Sequence, residues 1–98
     1  MRLLIAEDDK LHRAFLEKVA RNTLSELDTL TLAEDGAEAI RQFESADYDS
    51  IVLDLQMPRM TGVEAAKAIW ARKPGTRILF WSNYTEEAYI RGIAKIVP

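Results

Sequence analysis

Four short apolar segments alternate with stretches of helical periodicity, and this alternation constrains the fold more than any other feature of the sequence. The segments span Arg2–Ala6, Thr29–Ala33, residues 50–55 and Arg77–Trp81. Apolar runs of this length are typical of strands buried on both faces. Residues with a helical spacing follow each run, the last of them over about 85–94. The order βαβαβαβα predicts an α/β fold, a doubly wound parallel sheet with helices on both faces.

Composition limits the kinds of site that the chain can hold. The 98 residues include no Cys and one His, which excludes disulfides, zinc–thiolate sites and thiol nucleophiles. No apolar run approaches the ~20 residues that span a bilayer. Residues 1–54 carry a net charge of −7 and residues 55–98 a net charge of +4, without a run of Lys or Arg. We therefore expect one cytoplasmic domain over 1–98, with an acidic half that favours a cation and no direct contact with membranes or nucleic acid.

Polar residues stand where three of the four predicted strands end. An acidic run at 7–9 follows the first strand, Asp54 lies at the end of the third, and Ser82 and Asn83 follow the fourth. Ligands bind outside the carboxyl ends of parallel strands, so these side chains are predicted to meet at one edge of the sheet. Converging carboxylates repel one another, and Mg²⁺ with its preference for oxygen ligands relieves the repulsion. The pattern predicts a magnesium site suited to phosphoryl transfer, although each motif alone is commonly a helix cap.

Four sequence blocks resemble the response-regulator receiver domain. They are LLIAEDD, AEDGAEAI, IVLDLQMPRMTGVE and RILFWSN, and they stand in the family's order and spacing. The acidic pair together with D-x-x-M-P-x-x-x-G is highly specific. The resemblance implies a flavodoxin-like receiver fold and a phosphoacceptor module of a two-component system.

The resemblance also implies a set of metal and phosphoacceptor residues. Asp54 is the implied phosphoacceptor, which takes its phosphoryl group from a histidine kinase. Asp8 and Asp54 are the implied side-chain ligands of Mg²⁺, for which Mn²⁺ can substitute. Glu7 stands in place of the commoner Asp and is expected to reach the ion through water. The backbone carbonyl of Gln56 is the remaining implied protein ligand.

The resemblance assigns roles to residues after the fourth strand as well. Ser82 is expected to donate its hydroxyl to a phosphoryl oxygen, and Asn83 to influence access by water. Phosphorylation is expected to alter the face of the fourth helix. The fourth strand resembles that of receivers joined to a LuxR-type helix-turn-helix, so DNA binding is expected to lie in an output domain outside this chain. A homodimer is a possible assembly.

The sequence departs from the family at its C-terminal side. The family has a fifth strand and helix, with a Lys that would fall at position 104, and we expect this chain to be a truncated receiver with an exposed edge at its fourth strand. Two alternatives follow. One is a receiver fragment that acts only in interaction or dimerisation. The other is an aspartyl-nucleophile phosphatase, which Gln56 disfavours because such enzymes carry an acid/base Asp at that position. The chain is therefore expected not to be an enzyme, with slow autodephosphorylation at most.

Overall fold

The computed structural model describes residues 1–57 and 59–81, and in this part of the chain strands and helices alternate as predicted. The strands are β1 (Arg2–Ala6), β2 (Thr29–Ala33), β3 (Ser50–Asp54) and β4 (Arg77–Trp81). The helices are α1 (Lys10–Thr23), α2 (Gly36–Ser45) and α3 (Gly62–Arg72). The fourth helix predicted over about 85–94 lies outside the described residues.

Strand β3 ends at Asp54, one residue earlier than the sequence predicts. The N–H of Leu55 still donates to the carbonyl of Trp81 at 2.9 Å, as a further rung of the sheet would. The carbonyl of Leu55, however, accepts the N–H of Gly62 at 3.1 Å. The chain therefore leaves the sheet here because its next acceptor is taken by the start of α3.

The four strands form one parallel sheet in the order β2-β1-β3-β4. From β1 the chain goes outward to β2, and from β3 it goes outward to β4 on the other side. The direction of winding thus reverses between β1 and β3, and a crevice opens at their carboxyl ends. In the register of these two strands Ala6 stands opposite Leu53, so the residues that follow each strand emerge side by side.

Both faces of the sheet carry apolar side chains, as a doubly wound sheet requires. Successive strand residues point to opposite faces, so Leu4 and Ala6 belong to one cluster while Leu3 and Ile5 belong to the other. The first cluster joins the sheet to α2 and α3 and includes Phe43. The larger buried side chains, Leu4, Ile5, Ile51, Leu53 and Ile69, are less than 2% exposed. The predicted α/β class is confirmed by this two-sided core.

Helix α1 presents the apolar stripe that its spacing predicts, but much of the stripe is exposed. Leu11 is 79% exposed and Phe15 is 54% exposed, whereas Ala20 is buried against the sheet. Beside the stripe lies an apolar groove of about 450 Å³ between α1 and strands β1, β3 and β4. Periodicity shows that a helix has an apolar face, but it does not show how much of that face a neighbour covers.

Candidate metal centre

Three carboxylates meet at the crevice between β1 and β3. Oxygen atoms of Glu7, Asp8 and Asp54 lie within 4.8 Å of one another. Glu7 is 1% exposed and Asp54 is 8% exposed, while Asp8 is open to solvent. The parallel pairing of β1 with β3 produces this approach, because the first strand ends in the acidic run and the third ends in Asp54.

Glu7 is buried with one oxygen satisfied and the other not. Its Oε1 accepts the N–H of Asp9 at 3.2 Å and lies 3.5 Å from Nδ1 of His12. Its Oε2 is buried without a hydrogen-bond partner among the described residues. Burial raises the pKa of the Glu7 carboxyl, and the neighbouring Asp8 and Asp9 carboxylates add to that rise. A buried oxygen without a partner costs free energy unless a cation or water satisfies it.

Asp54 is held by the backbone of the loop that follows it. The N–H of Gln56 donates to Asp54 Oδ1 at 3.1 Å. Burial, with the nearby Glu7 carboxyl, raises the pKa of Asp54 to about 7 despite that hydrogen bond. Helix α3 starts directly against this residue, since a Cβ on Gly62 would lie 2.2 Å from the Asp54 carbonyl oxygen. Glycine is required there by close packing, and this packing fixes where Asp54 stands.

The donor set fits a hard divalent cation. Three carboxylates within reach of one another supply oxygen ligands of the kind that Mg²⁺ and Mn²⁺ prefer. The unpartnered Glu7 Oε2 is a buried oxygen that such an ion or its bound water would satisfy. Glu7, Asp8 and Asp54 are therefore the described side chains that could hold the ion.

Asp9 stands apart from this cluster. Its side chain caps α1, with Oδ1 accepting the N–H groups of Leu11 at 2.8 Å and His12 at 3.2 Å. These two hydrogen bonds lower the pKa of the Asp9 carboxyl. Ser82 and Asn83, the predicted contacts of the phosphoryl group, lie outside the described residues.

Two basic side chains next to the site were not identified from the sequence. His12 contacts Glu7, and Arg13 donates to the carbonyl of Glu7 at 2.8 Å. Both lie in the first four residues of α1. Both side chains come close to Glu7 because Asp9 caps the first turn of α1 and directs the helix back along the acidic run. The available sequence signal was their position one helical turn after that run.

None of the described helices is both long and apolar enough to cross a bilayer.

Comparison with known proteins gives a consistent result for family and fold. The family model for the response regulator receiver domain matches residues 3–96 of the chain. The chain is 27% identical over 90 residues to the chemotaxis protein CheY of Listeria monocytogenes, a match that covers 92% of this chain and 74% of that protein. It is 32% identical over 90 residues to the uncharacterized transcriptional regulatory protein YxjL of Bacillus subtilis, covering 92% of this chain and 41% of that protein.

A solved structure shows the same likeness. The response regulator domain of Thermotoga maritima CheB superposes with a TM-score of 0.87 at 28% identity, covering 99% of this chain and 72% of that domain. The match therefore extends through the parallel sheet and the acidic crevice described above. Together with the family match, it shows that the chain belongs to the response regulator receiver domain family of two-component systems.

Proposed function

We propose that the chain is a phosphoacceptor signalling module in which Asp54 takes a phosphoryl group from a histidine kinase with the help of Mg²⁺. The observation that carries the proposal is the placement of a buried Asp54 carboxyl within 4.8 Å of the Glu7 and Asp8 carboxylates. Three carboxylates in so small a space call for a cation, and a carboxylate beside a cation is equipped to attack phosphorus.

The carboxylates and the loop after β3 have different roles in metal binding and in orienting Asp54. Asp8 and Asp54 would hold the ion directly, Glu7 would reach it through water, and the carbonyl of Gln56 would supply a backbone ligand. When bound, the divalent ion neutralises the carboxylates and the incoming phosphoryl oxygens. The Gln56 N–H holds Asp54 Oδ1 at 3.1 Å, which orients the other oxygen, Oδ2, for attack.

The transfer exchanges one bond to phosphorus for another. Asp54 Oδ2 attacks the phosphorus of a phosphohistidine, a P–O bond forms and the P–N bond breaks. The electron pair stays on the imidazole nitrogen of the kinase, and the product is an aspartyl phosphate. Asp54 must be ionised to attack, and its pKa is raised by burial to about 7 in the metal-free chain. Beside a cation the carboxyl of Asp54 would therefore be ionised and able to attack.

Two further residues belong to the proposal through the family resemblance. Ser82 donates its hydroxyl to a phosphoryl oxygen, and Asn83 limits the approach of water. Phosphorylation then changes the surface of the fourth helix that the sequence predicts. The matched relatives include chemotaxis and transcriptional regulatory proteins, and we place any DNA contact in an output domain outside these residues. The module acts in the cytoplasm and has no turnover beyond slow loss of its own phosphoryl group.

A small phosphodonor tests the proposal directly. The chain is incubated with acetyl phosphate and Mg²⁺, and the product is analysed by mass spectrometry and for released phosphate. We expect one stable phosphoryl group on Asp54 of the parent. We expect no labelling when EDTA is added before the donor, and none in Asp54→Asn. Labelling that persists in Asp54→Asn, or that maps to Asp9 or His12, contradicts the assignment. Continuous release of phosphate would identify a phosphatase instead.

A second candidate is an interaction or dimerisation module that is not phosphorylated. The exposed apolar stripe on α1 favours it, because Leu11 is 79% exposed and Phe15 is 54% exposed. Apolar patches of this kind are typical of protein contact surfaces. Failure of the parent chain to accept a phosphoryl group, together with self-association, would support this candidate over the first.

A further inference from the structure

The side chain of Arg13 folds back from α1 onto the acidic turn that precedes the helix. Its Nη1 donates to the carbonyl oxygen of Glu7 at 2.8 Å and lies 3.4 Å from the carbonyl oxygen of Asp8. Its Nη2 lies 3.8 Å from Oε1 of Glu34, the residue after β2. The side chain is only 15% exposed. A guanidinium is rarely held so far from water unless it has partners that fix it.

The two carbonyl groups that Arg13 contacts belong to the peptide planes on either side of the Asp8 Cα. Each peptide unit is planar, so the orientation of these two planes determines the backbone torsions of Asp8 and hence where its carboxylate points. The N–H of Glu7 is fixed separately by the carbonyl of Ala33 at 3.0 Å. Asp8 itself is exposed and lies in a turn, so its carboxylate depends on the backbone for its direction.

Arg13 holds this turn without occupying the metal ligands. Its Nη1 donates to both carbonyl oxygens, which leaves the carboxylate oxygens of Glu7 and Asp8 to a cation. The guanidinium keeps its positive charge at all ordinary pH values and offsets part of the repulsion within the acidic run. A Lys at this position could retain the charge, but its single ammonium could not contact the two carbonyl groups and also place a second rigid donor towards Glu34.

We propose that Arg13 is a positioning residue for the metal centre: it fixes the Glu7–Asp8 turn so that the two carboxylates face Asp54. The inference rests on the proposed function, because it concerns the same metal centre. It adds a residue of α1 to that centre and links the centre to the exit of β2 through Glu34.

The test compares Arg13→Met and Arg13→Lys with the parent. Arg21→Met is the matched control, because Arg21 lies on the same helix and pairs with Glu17 at its surface. Mg²⁺ alone is titrated while tryptophan fluorescence is followed, and urea unfolding gives the folded fraction under the same conditions.

We expect Arg13→Met to raise the Kd for Mg²⁺ roughly tenfold. The Kd of Arg13→Lys should lie between those of Arg13→Met and the parent, and the Kd of Arg21→Met should equal that of the parent. At saturating Mg²⁺, labelling by acetyl phosphate should return to the parent rate.

An unchanged Kd for Mg²⁺ in folded Arg13→Met, with lower stability alone, would overturn the inference and leave Arg13 a structural residue. If Arg13→Met does not fold, Arg13→Lys decides, and a parent-like Kd in that variant likewise overturns it. A parent chain that binds no Mg²⁺ and accepts no phosphoryl group overturns the proposed function, and this inference with it. If the parent binds Mg²⁺ and accepts a phosphoryl group, and the Arg13 variants have the same Kd for Mg²⁺ as the parent, this inference alone is overturned.

Discussion

In the proposed function, stability, metal binding and chemistry all depend on Asp54. Burial raises the pKa of its carboxyl from 3.8 to about 7. The folded, metal-free chain therefore binds this proton more tightly than the unfolded chain does. The resulting contribution to the free energy of unfolding is present in full below the unfolded pKa and is lost as the pH rises towards the folded pKa. Unpaired ionisation of Asp54 thus costs stability at neutral pH.

Asp54→Asn is expected to remove this cost. In metal-free buffer above pH 7 the variant should exceed the parent in free energy of unfolding by about 2–4 kcal/mol, and the two should converge as the pH falls towards the ordinary pKa of the carboxyl. Urea unfolding across this range measures the difference in free energy of unfolding between the two proteins. The lowered pKa values of Asp9 and Asp35 change stability with pH in the opposite direction to Asp54, but they act equally in both proteins and so cancel from the difference. Parallel pH profiles for the two proteins would refute the prediction. Saturating Mg²⁺ should flatten the profile of the parent.

The neighbouring acids Asp8 and Asp9 should separate metal binding from stability. Asp8 belongs to the carboxylate cluster, whereas Asp9 caps α1 through the N–H groups of Leu11 and His12. Asp8→Ala should weaken Mg²⁺ binding at least about tenfold with little loss of stability. Asp9→Ala should lower the free energy of unfolding by about 1 kcal/mol and keep its affinity for Mg²⁺. Fluorescence titration and urea unfolding of the same two samples check both halves, and equal metal affinity in Asp8→Ala and the parent would show the site to be wrong.

Helices α2 and α3 both begin with a glycine, and the two glycines face different neighbours. A Cβ on Gly62 would lie 2.2 Å from the Asp54 carbonyl oxygen and 3.0 Å from the Cα of Leu55, which are backbone atoms. A Cβ on Gly36 would lie 3.1 Å from Cβ and Cγ of Met60 and 3.2 Å from its carbonyl oxygen, which is a tight contact but not an overlap. The atoms at the end of β3 cannot move aside far enough without displacing Asp54, whereas a shift of a few tenths of an ångström in the loop at Met60 relieves the contact at Gly36.

Gly62→Ala should therefore cost about 2–3 kcal/mol of stability and weaken Mg²⁺ binding, because it pushes α3 away from Asp54. Gly36→Ala, with the same change at the same helical position, should cost about 1 kcal/mol and leave the metal affinity unchanged, because its contacts are milder and do not involve Asp54. Thermal melts together with Mg²⁺ titrations of the two variants measure both effects. Similar losses in both proteins would contradict the argument from close packing.

The elements and the acidic centre were predictable from the sequence because they depend on local patterns. Strand-length runs, helical spacing and the end of each strand are all readable along the chain, and in a parallel sheet they suffice to bring Asp8 and Asp54 to one edge. The contacts of Arg13 were not predictable, since they need the path of the turn before α1. The exposure of Leu11 was missed for a related reason, because a helical spacing does not reveal how far a neighbouring element covers it.

At the scale of the whole molecule, the described residues present an apolar surface on the α1 side of the sheet. Leu79 on β4 is 67% exposed and Leu11 on α1 is 79% exposed, and the groove of about 450 Å³ lies between these two elements. Strand β4 is also an edge of the described sheet, so its outer backbone groups have no neighbouring described strand. Exposed strand edges with apolar neighbours are prone to pair with a second chain.

The 98-residue chain is therefore expected to associate with itself through this surface. Burying one large apolar side chain such as Leu79 stabilises a contact by about 1.5–3 kcal/mol, and several such side chains lie together. Sedimentation velocity over a range of concentrations should show the parent shifting to larger species, while Leu79→Lys should stay monomeric because it places a charge at the centre of the contact. Ser45→Lys adds the same charge at the end of α2, on the opposite side of the sheet, and should associate like the parent. A parent chain that remains a monomer at every concentration, with a cooperative melt equal to that of Leu79→Lys, would show that this surface is not a contact between copies. Mg²⁺ affinity should be the same in all three proteins, since the carboxylate cluster lies at the end of the strands rather than on this face.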